Sequence, residues 1–175
     1  QADRMTRWAL SEPGNICIAM GRSKVPVVTD EKGKPFYAGR YVFRYGAVDR
    51  LRAGDDGAII TTGHMAARAL EAHELLKSQG FNVSVYHAGC PLHMDPSAIA
   101  QAAQTGRIVT FEDHHVSTGL GSIVASMLPK IGSCCPLRTL GVTRYGDSGS
   151  SSEVLSAMGL DPGNLAAAVR SLIVQ

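Results

Sequence analysis

The sequence predicts an α/β fold: a three-layer α/β/α sandwich on a mixed five-stranded sheet with one antiparallel strand. Three observations carry this. Short runs rich in β-branched and aromatic residues, such as Arg107-Ile108-Val109-Thr110-Phe111, alternate with longer segments whose apolar residues recur at helical spacing. The helical segments carry start signals: Asp95-Pro96, Asp161-Pro162 and the pattern Ser150-x-x-Glu153. Finally, the turn Ala53-Gly54-Asp55-Asp56-Gly57 between two strand-like runs is too short for a crossover, so those two strands run antiparallel while the others are joined through helices.

Taken in order, the chain opens with a short helix. Ala2, Met5, Trp8 and Ala9 line one face, and Asp3, Arg4 and Arg7 the other, until Pro13-Gly14 stops it. Asn15 to Met20 then reads as a strand apolar on both faces, which needs parallel neighbours on either side. Nothing before it in the chain supplies them, so residues 1–27 are expected to be a helix-strand remnant, the incomplete end of a larger domain. Residues 28–46 read as an extended connector: Pro35, Gly33 and Gly39 break the apolar period, and a turn falls at Glu31-Lys32-Gly33-Lys34. Residues 47–175 carry the alternating pattern. Strands are expected at 47–52, 58–62, 81–86, 107–111 and 136–142. A helix from Gly63 to Gln79 is stopped by Gly80, and others start at Asp95, Gly119, Ser150 and Asp161.

Composition narrows the function classes. A chain of 175 residues can bury roughly 70% of its unfolded surface without disulfides or metals. The formal charge of +2 is small, and Lys and Arg are scattered among few aromatics, so the footprint of a nucleic-acid binder is missing. Cys17, Cys90, Cys134 and Cys135 form no disulfide framework. With no signal-peptide pattern and no apolar run of about 18 residues, a cytoplasmic protein without a membrane partner is expected.

Several motifs invite chemistry. Gly119-Leu120-Gly121 opens like a dinucleotide fingerprint, but the third glycine position is Val124 and no acidic residue follows at the right distance; close packing of a helix on the sheet explains the glycines better. Gly146-Asp147-Ser148-Gly149 looks like a serine-protease motif without a strand barrel to supply its histidine, and reads as the turn before a helix cap. His87-x-x-Cys90-x-x-His93, with His114 and His115, has no second ligand pair at zinc spacing. Glu112-Asp113-His114-His115 reads as a polar loop at a strand's carboxyl end, where α/β proteins gather ligand contacts; it suits acid–base groups or a hydrogen-bonded subunit contact. Arg22 directly follows the apolar run 15–20, and its planar fork suits a phosphate dianion; a solvated or paired surface arginine is the plainer reading.

Two long motifs carry a family resemblance. Gly106-Arg-Ile-Val-Thr-Phe-Glu-Asp-His114 with Gly119-Leu-Gly121 resembles the C-terminal domain of transketolase. So does Thr143-Arg-Tyr-Gly-Asp-Ser-Gly149 followed by Glu153-Val154, Gly159-Leu160 and Pro162. Deoxyxylulose-phosphate synthases and 2-oxoacid dehydrogenase β subunits share this domain. The similarity covers essentially the whole chain and implies three regions: 1–27, the end of the pyrimidine-binding domain; 28–46, the connector; 47–175, the C-terminal domain.

The resemblance implies transfer of a two-carbon ketol unit from a ketose phosphate to an aldose phosphate, with thiamin diphosphate and Mg2+ in a homodimeric complete enzyme. The cofactor supplies the carbanion chemistry and the protein positions substrate. It further implies that Arg22 contacts the sugar phosphate, although Ser23-Lys24 stand where proline often follows that arginine. The cofactor-activating glutamate and the metal motif of the family lie in segments absent from this chain. Hence no catalytic, cofactor-binding or metal residue is assigned here, no cofactor is expected on this chain alone, and its expected partners are the upstream segments. The contrasting expectation is a non-enzymatic docking or subunit-interface module of a 2-oxoacid dehydrogenase β-subunit-like complex, binding through the helix face around Trp8 and the Glu112 loop.

Overall fold

The computed structural model describes residues 1–21 and 24–174; Arg22, the one substrate-contact candidate, lies outside the described residues. Helix α1 (Ala2–Ala9) forms where its apolar spacing requires, with Asp3 and Arg7 paired one turn apart at 3.1 Å. Its Trp8 stacks on Tyr45, ring centroids 5.3 Å apart, and meets Phe43 edge-on. The strand expected at Asn15–Met20 does not form, and those residues are exposed apart from half-buried Ile18. A strand apolar on both faces needs hydrogen-bonding neighbours, and none of the described segments pairs with it.

Residues 24–46 carry no regular element beyond a bridge between Thr29 and Pro35. The expected turn is there. Asp30 closes it by accepting the N–H groups of Lys32 and Lys34, each at 2.9 Å, while Gly33 takes a left-handed φ of 74°. The segment lies extended across the domain, packing Val28, Phe36 and Tyr37 on its apolar interior.

The sheet has five strands: β1 (Val48–Arg52), β2 (Gly57–Thr62), β3 (Val83–Ala88), β4 (Ile108–His115) and β5 (Leu137–Val142). Their spatial order is β1-β3-β2-β4-β5, with β1 antiparallel to β3 and the remaining pairs parallel. Thus β1 runs against the others as expected, but it is not the neighbour of β2, for β3 lies between them. The short turn spans the start of β3 instead. Asp55 and Asp56 both donate their N–H groups to Asn82 O at 2.9 Å, and Gly54 presses so closely on Val83 and Ser84 that a Cβ there would stand 2.6 Å from the Ser84 nitrogen. Such a crossing tolerates only glycine.

Helices α2 (Met65–Ser78), α3 (Pro96–Ala103), α4 (Leu120–Met127), α5 (Ser151–Ala157) and α6 (Pro162–Ile173) complete the layers. On one face Ile59, Val85 and Phe111 of the sheet meet Met65, Ala69 and Leu76 of α2 and Leu165 and Val169 of α6. On the other, Ala58, Ile60 and Ile108 meet Ile99 and Ala102 of α3 and Leu120 and Val124 of α4. β2 and β3 are buried along their whole length, their polar residues Thr61, Thr62, Ser84 and His87 included. The start signals act as written. Asp95 accepts from Ser97 N at 2.9 Å, Asp161 from Asn164 N at 2.9 Å, and Ser150 and Glu153 close both arms of a capping box.

Gly54→Ala should destabilise the domain by about 1–3 kcal/mol, the usual range for overpacking, because the clash is with backbone that cannot swing aside. Urea denaturation reads this directly, and a variant as stable as the parent would mean the turn moves freely over β3.

Candidate functional site

The carboxyl end of the sheet is built around Glu112. The sequence reads Glu112–His115 as a loop, but β4 continues through these residues. Its ladder with β5 slips between Phe111 and His115, and His115 pairs with Val142. The strand has reached the rim of the sheet, so its side chains turn polar while its backbone stays paired. Glu112 is completely buried, and its two oxygens accept the first amides of α4: Leu120 N at 2.5 Å and Gly121 N at 2.7 Å. A carboxylate at a helix amino end meets both unpaired N–H groups and the positive end of the dipole. Gly119 and Gly121 make this possible. A Cβ on Gly119 would fall on the Glu112 carboxylate, and one on Gly121 would stand 2.6 Å from Thr139 Cγ2. The two glycines are therefore packing glycines.

Beside it, Asp113 joins two imidazoles. His64, at the start of α2, places Nε2 2.7 Å from one Asp113 oxygen, and His114 places Nδ1 3.3 Å from the other. His64 and Asp113 are half-buried, and Gly21 lies against the His64 ring. An imidazole oriented by a carboxylate is an acid–base arrangement in outline. No hydroxyl or thiol is hydrogen-bonded to this histidine among the described residues. His115 turns away to Ser117 Oγ, 2.7 Å from its Nδ1.

A second polar cluster was not legible as a motif. At the end of β3, buried His87 has its Nδ1 2.8 Å from Tyr37 Oη. In β1 next to it, Asp49 accepts the Tyr41 hydroxyl at 2.8 Å and the Gln1 amide at 3.4 Å. Burial pulls the His87 pKa down to about 4, with the Gly63 backbone working the other way. Burial likewise pushes both phenols up, Asp49 adding to it, and lifts the Asp49 carboxyl although the two tyrosines hydrogen-bond it. The signal that would have found this cluster is two polar residues, Asp49 and His87, in strand runs that must be buried. No short pattern marks their partners eight and fifty residues away.

The remaining candidates are dispersed. His93 stacks obliquely on Tyr45, ring centroids 5.2 Å apart, while His87 points to Tyr37, so the His87-Cys90-His93 spacing does not converge. Among the described residues, no three His, Cys, Asp or Glu side chains are placed to hold a metal ion. Gly146 to Gly149 form an exposed turn ahead of α5, with Arg144 paired to Asp147 at 3.3 Å and Tyr145 fully exposed. A diphosphate–metal group needs free carboxylate and amide ligands. Here the Glu112 oxygens and the α4 amides already satisfy one another, so among the described residues these groups do not fit such a group.

A mostly parallel five-stranded sheet with an antiparallel first strand and a glutamate-capped helix after β4 makes this an α/β domain of mixed sheet. The family model for the transketolase C-terminal domain matches residues 46–165, and the chain belongs to that family. It is 33% identical over 175 residues to 1-deoxy-D-xylulose-5-phosphate synthase of Heliobacterium modesticaldum, a match covering 98% of this chain and 26% of the relative. It is 29% identical over 163 residues to an apulose-4-phosphate transketolase subunit of Phocaeicola vulgatus, covering 92% of this chain and 49% of that one. Among solved structures, a split-gene transketolase described as an inactive beta4 tetramer superposes with a TM-score of 0.77 at 30% identity, over 88% of this chain and 48% of the other. The chain thus spans between a quarter and a half of the length of these relatives.

Glu112→Gln keeps the shape but turns an amide NH2 toward one helix N–H. It should cost about 1–3 kcal/mol, as for a buried donor left without its acceptor. Denaturant midpoints and faster exchange of the Leu120 and Gly121 amides check it; unchanged values would show the carboxylate to be dispensable.

Proposed function

We propose that this chain is the C-terminal part of a thiamin-diphosphate-dependent transketolase, which moves a two-carbon ketol unit from a ketose phosphate to an aldose phosphate. In this reading residues 1–27 finish a pyrimidine-binding domain, 28–46 connect, and 47–175 form the C-terminal domain. The observation that carries the reading is the family match over 46–165, joined to near-complete coverage of this chain by a transketolase subunit about twice its length. The exposed apolar run at 15–20 supports it from the other side, since those side chains lack the flanking strands their pattern requires.

The chemistry belongs to thiamin diphosphate and Mg2+ held by the partner segments, and this chain contributes two things. Arg22 contacts the sugar phosphate through its guanidinium fork. The α/β domain supplies a packing surface for the upstream segments and for a second copy in a homodimer. On its own the chain is inactive. A cytoplasmic location accords with the family, and no described helix is long and apolar enough to cross a membrane.

A second reading has its own support. The synthase relative matches 98% of this chain, so the complete protein forms 1-deoxy-D-xylulose 5-phosphate in that case. One reconstitution separates the two. Mixed with the upstream segments, thiamin diphosphate and Mg2+, the chain should restore ketol transfer between sugar phosphates, while formation of 1-deoxy-D-xylulose 5-phosphate would favour the synthase. In the active mixture Arg22→Ala should raise KM for the phosphorylated substrate about tenfold or more, the loss of a charge-assisted pair of roughly 1.5–3 kcal/mol. Recovery of neither activity with a stable complex would leave the docking module, and an unchanged KM would remove Arg22 from the site.

A further inference from the structure

The segment 28–46 is attached to the domain in an unusual way. Its backbone hydrogen bonds are internal: Phe36 N–H to Val28 O, Asp30 N–H to Lys34 O and Tyr41 N–H to Ala38 O. The backbone bonds it makes to the rest of the domain among the described residues are at its end, Gly46 O accepting from Asp95 N at 2.9 Å and Arg44 O from Ala47 N at 3.1 Å. It adds no strand to the sheet. Polar attachment rests on side chains: Tyr37 on His87, Tyr41 on Asp49, the Arg52 guanidinium donating to Thr29 O at 2.8 Å and the Arg4 guanidinium of α1 donating to Gly39 O at 2.9 Å. Segments held by few bonds open independently of the core and at lower cost.

One of these contacts is tuned to break. His87 Nδ1 and the Tyr37 hydroxyl share a hydrogen bond, and the His87 Nε2, with no accessible surface, has no hydrogen-bond partner among the described residues. A buried imidazole so placed is stable only while neutral. We propose that Tyr37, Tyr41, His87 and Asp49 form a proton-sensitive latch that holds segment 28–46 on the β1–β3 edge, and that protonation of His87 releases the segment while the five-stranded core stays folded. Release uncovers Phe36, Tyr37 and the apolar surface beneath them, on the stretch that leads into residues 1–27. The inference does not depend on Arg22 or on the reaction catalysed.

The sign follows from the groups that face His87. Tyr37 and Tyr41 come from the segment, Asp49 from β1 and the Gly63 backbone from the end of β2; Arg44 stands near Asp49 and Cys90 near Tyr41. The imidazole drops from its ordinary 6.5 to about 4 when closed, so the closed form is favoured fully above pH 6.5, and that advantage is lost as pH falls from 6.5 to 4. Asp49 acts in the opposite sense. Its carboxyl is raised in the closed form, so its own protonation holds the latch shut as pH falls.

Hydrogen exchange followed by mass spectrometry on the full chain tests this, with intrinsic exchange corrected for pH. Between pH 7 and pH 5, protection of residues 36–46 should fall about 20-fold, the ratio set by His87 pKa values of 6.5 open and about 4 closed, with β2 and β4 unchanged. Asp49→Asn should steepen that loss, and His87→Gln should abolish it. Should His87→Gln fail to fold, the regional pattern of the parent and of Asp49→Asn still decides. The latch is overturned if residues 36–46 keep their protection at pH 5, or if β2 and β4 lose theirs in step.

Discussion

A single buried carboxylate organises the end of the domain where loops gather. Glu112 has no exposed surface, and a charge there would be prohibitive without partners. Its partners are two amides that every helix leaves unpaired, so two costs cancel: the carboxylate gains donors and α4 gains a cap. The arrangement dictates the residues around it. Gly119 and Gly121 must lack side chains to let the strand and helix approach, and Gly141 is equally confined between the His114 carbonyl and the Glu112 side chain. What resembles a nucleotide fingerprint in the one-dimensional sequence is the trace of this close approach.

Around that anchor the rim is polar, and its described groups pair with one another. The Asp113 carboxylate is shared between His64 and His114, and His115 is taken up by Ser117. These groups satisfy one another rather than converge on an empty volume. The chain spans a quarter to a half of the length of the relatives it matches. A rim of mutually satisfied polar groups suits a domain that packs against others.

The first 46 residues follow different physics from the remainder. From residue 47 onward each strand is paired and each helix covers a sheet face. Before it, α1 is held by its Trp8 ring, residues 15–20 present apolar side chains to solvent, and 28–46 is held by side-chain hydrogen bonds and apolar packing. Few backbone bonds and a high share of aromatic contacts give a surface whose attachment can change without unfolding the sheet.

Local chemistry was legible in the sequence. Asp95-Pro96, Asp161-Pro162 and the Ser150–Glu153 box start helices wherever they occur, because a cap needs only its own neighbouring amides. The apolar runs of β2 to β5 and the antiparallel sense of β1 followed from periodicity and turn length alone, and two long motifs carried the family. Three matters were decided by tertiary structure. Strand order placed β3 between β1 and β2, since a turn's length limits direction but not who lies beneath it. The polar stretch Glu112–His115 stayed a strand because a helix amino end, invisible in local pattern, received its carboxylate. The apolar run 15–20, with every local mark of a strand, formed none, because a strand exists only when another backbone is there to pair with it.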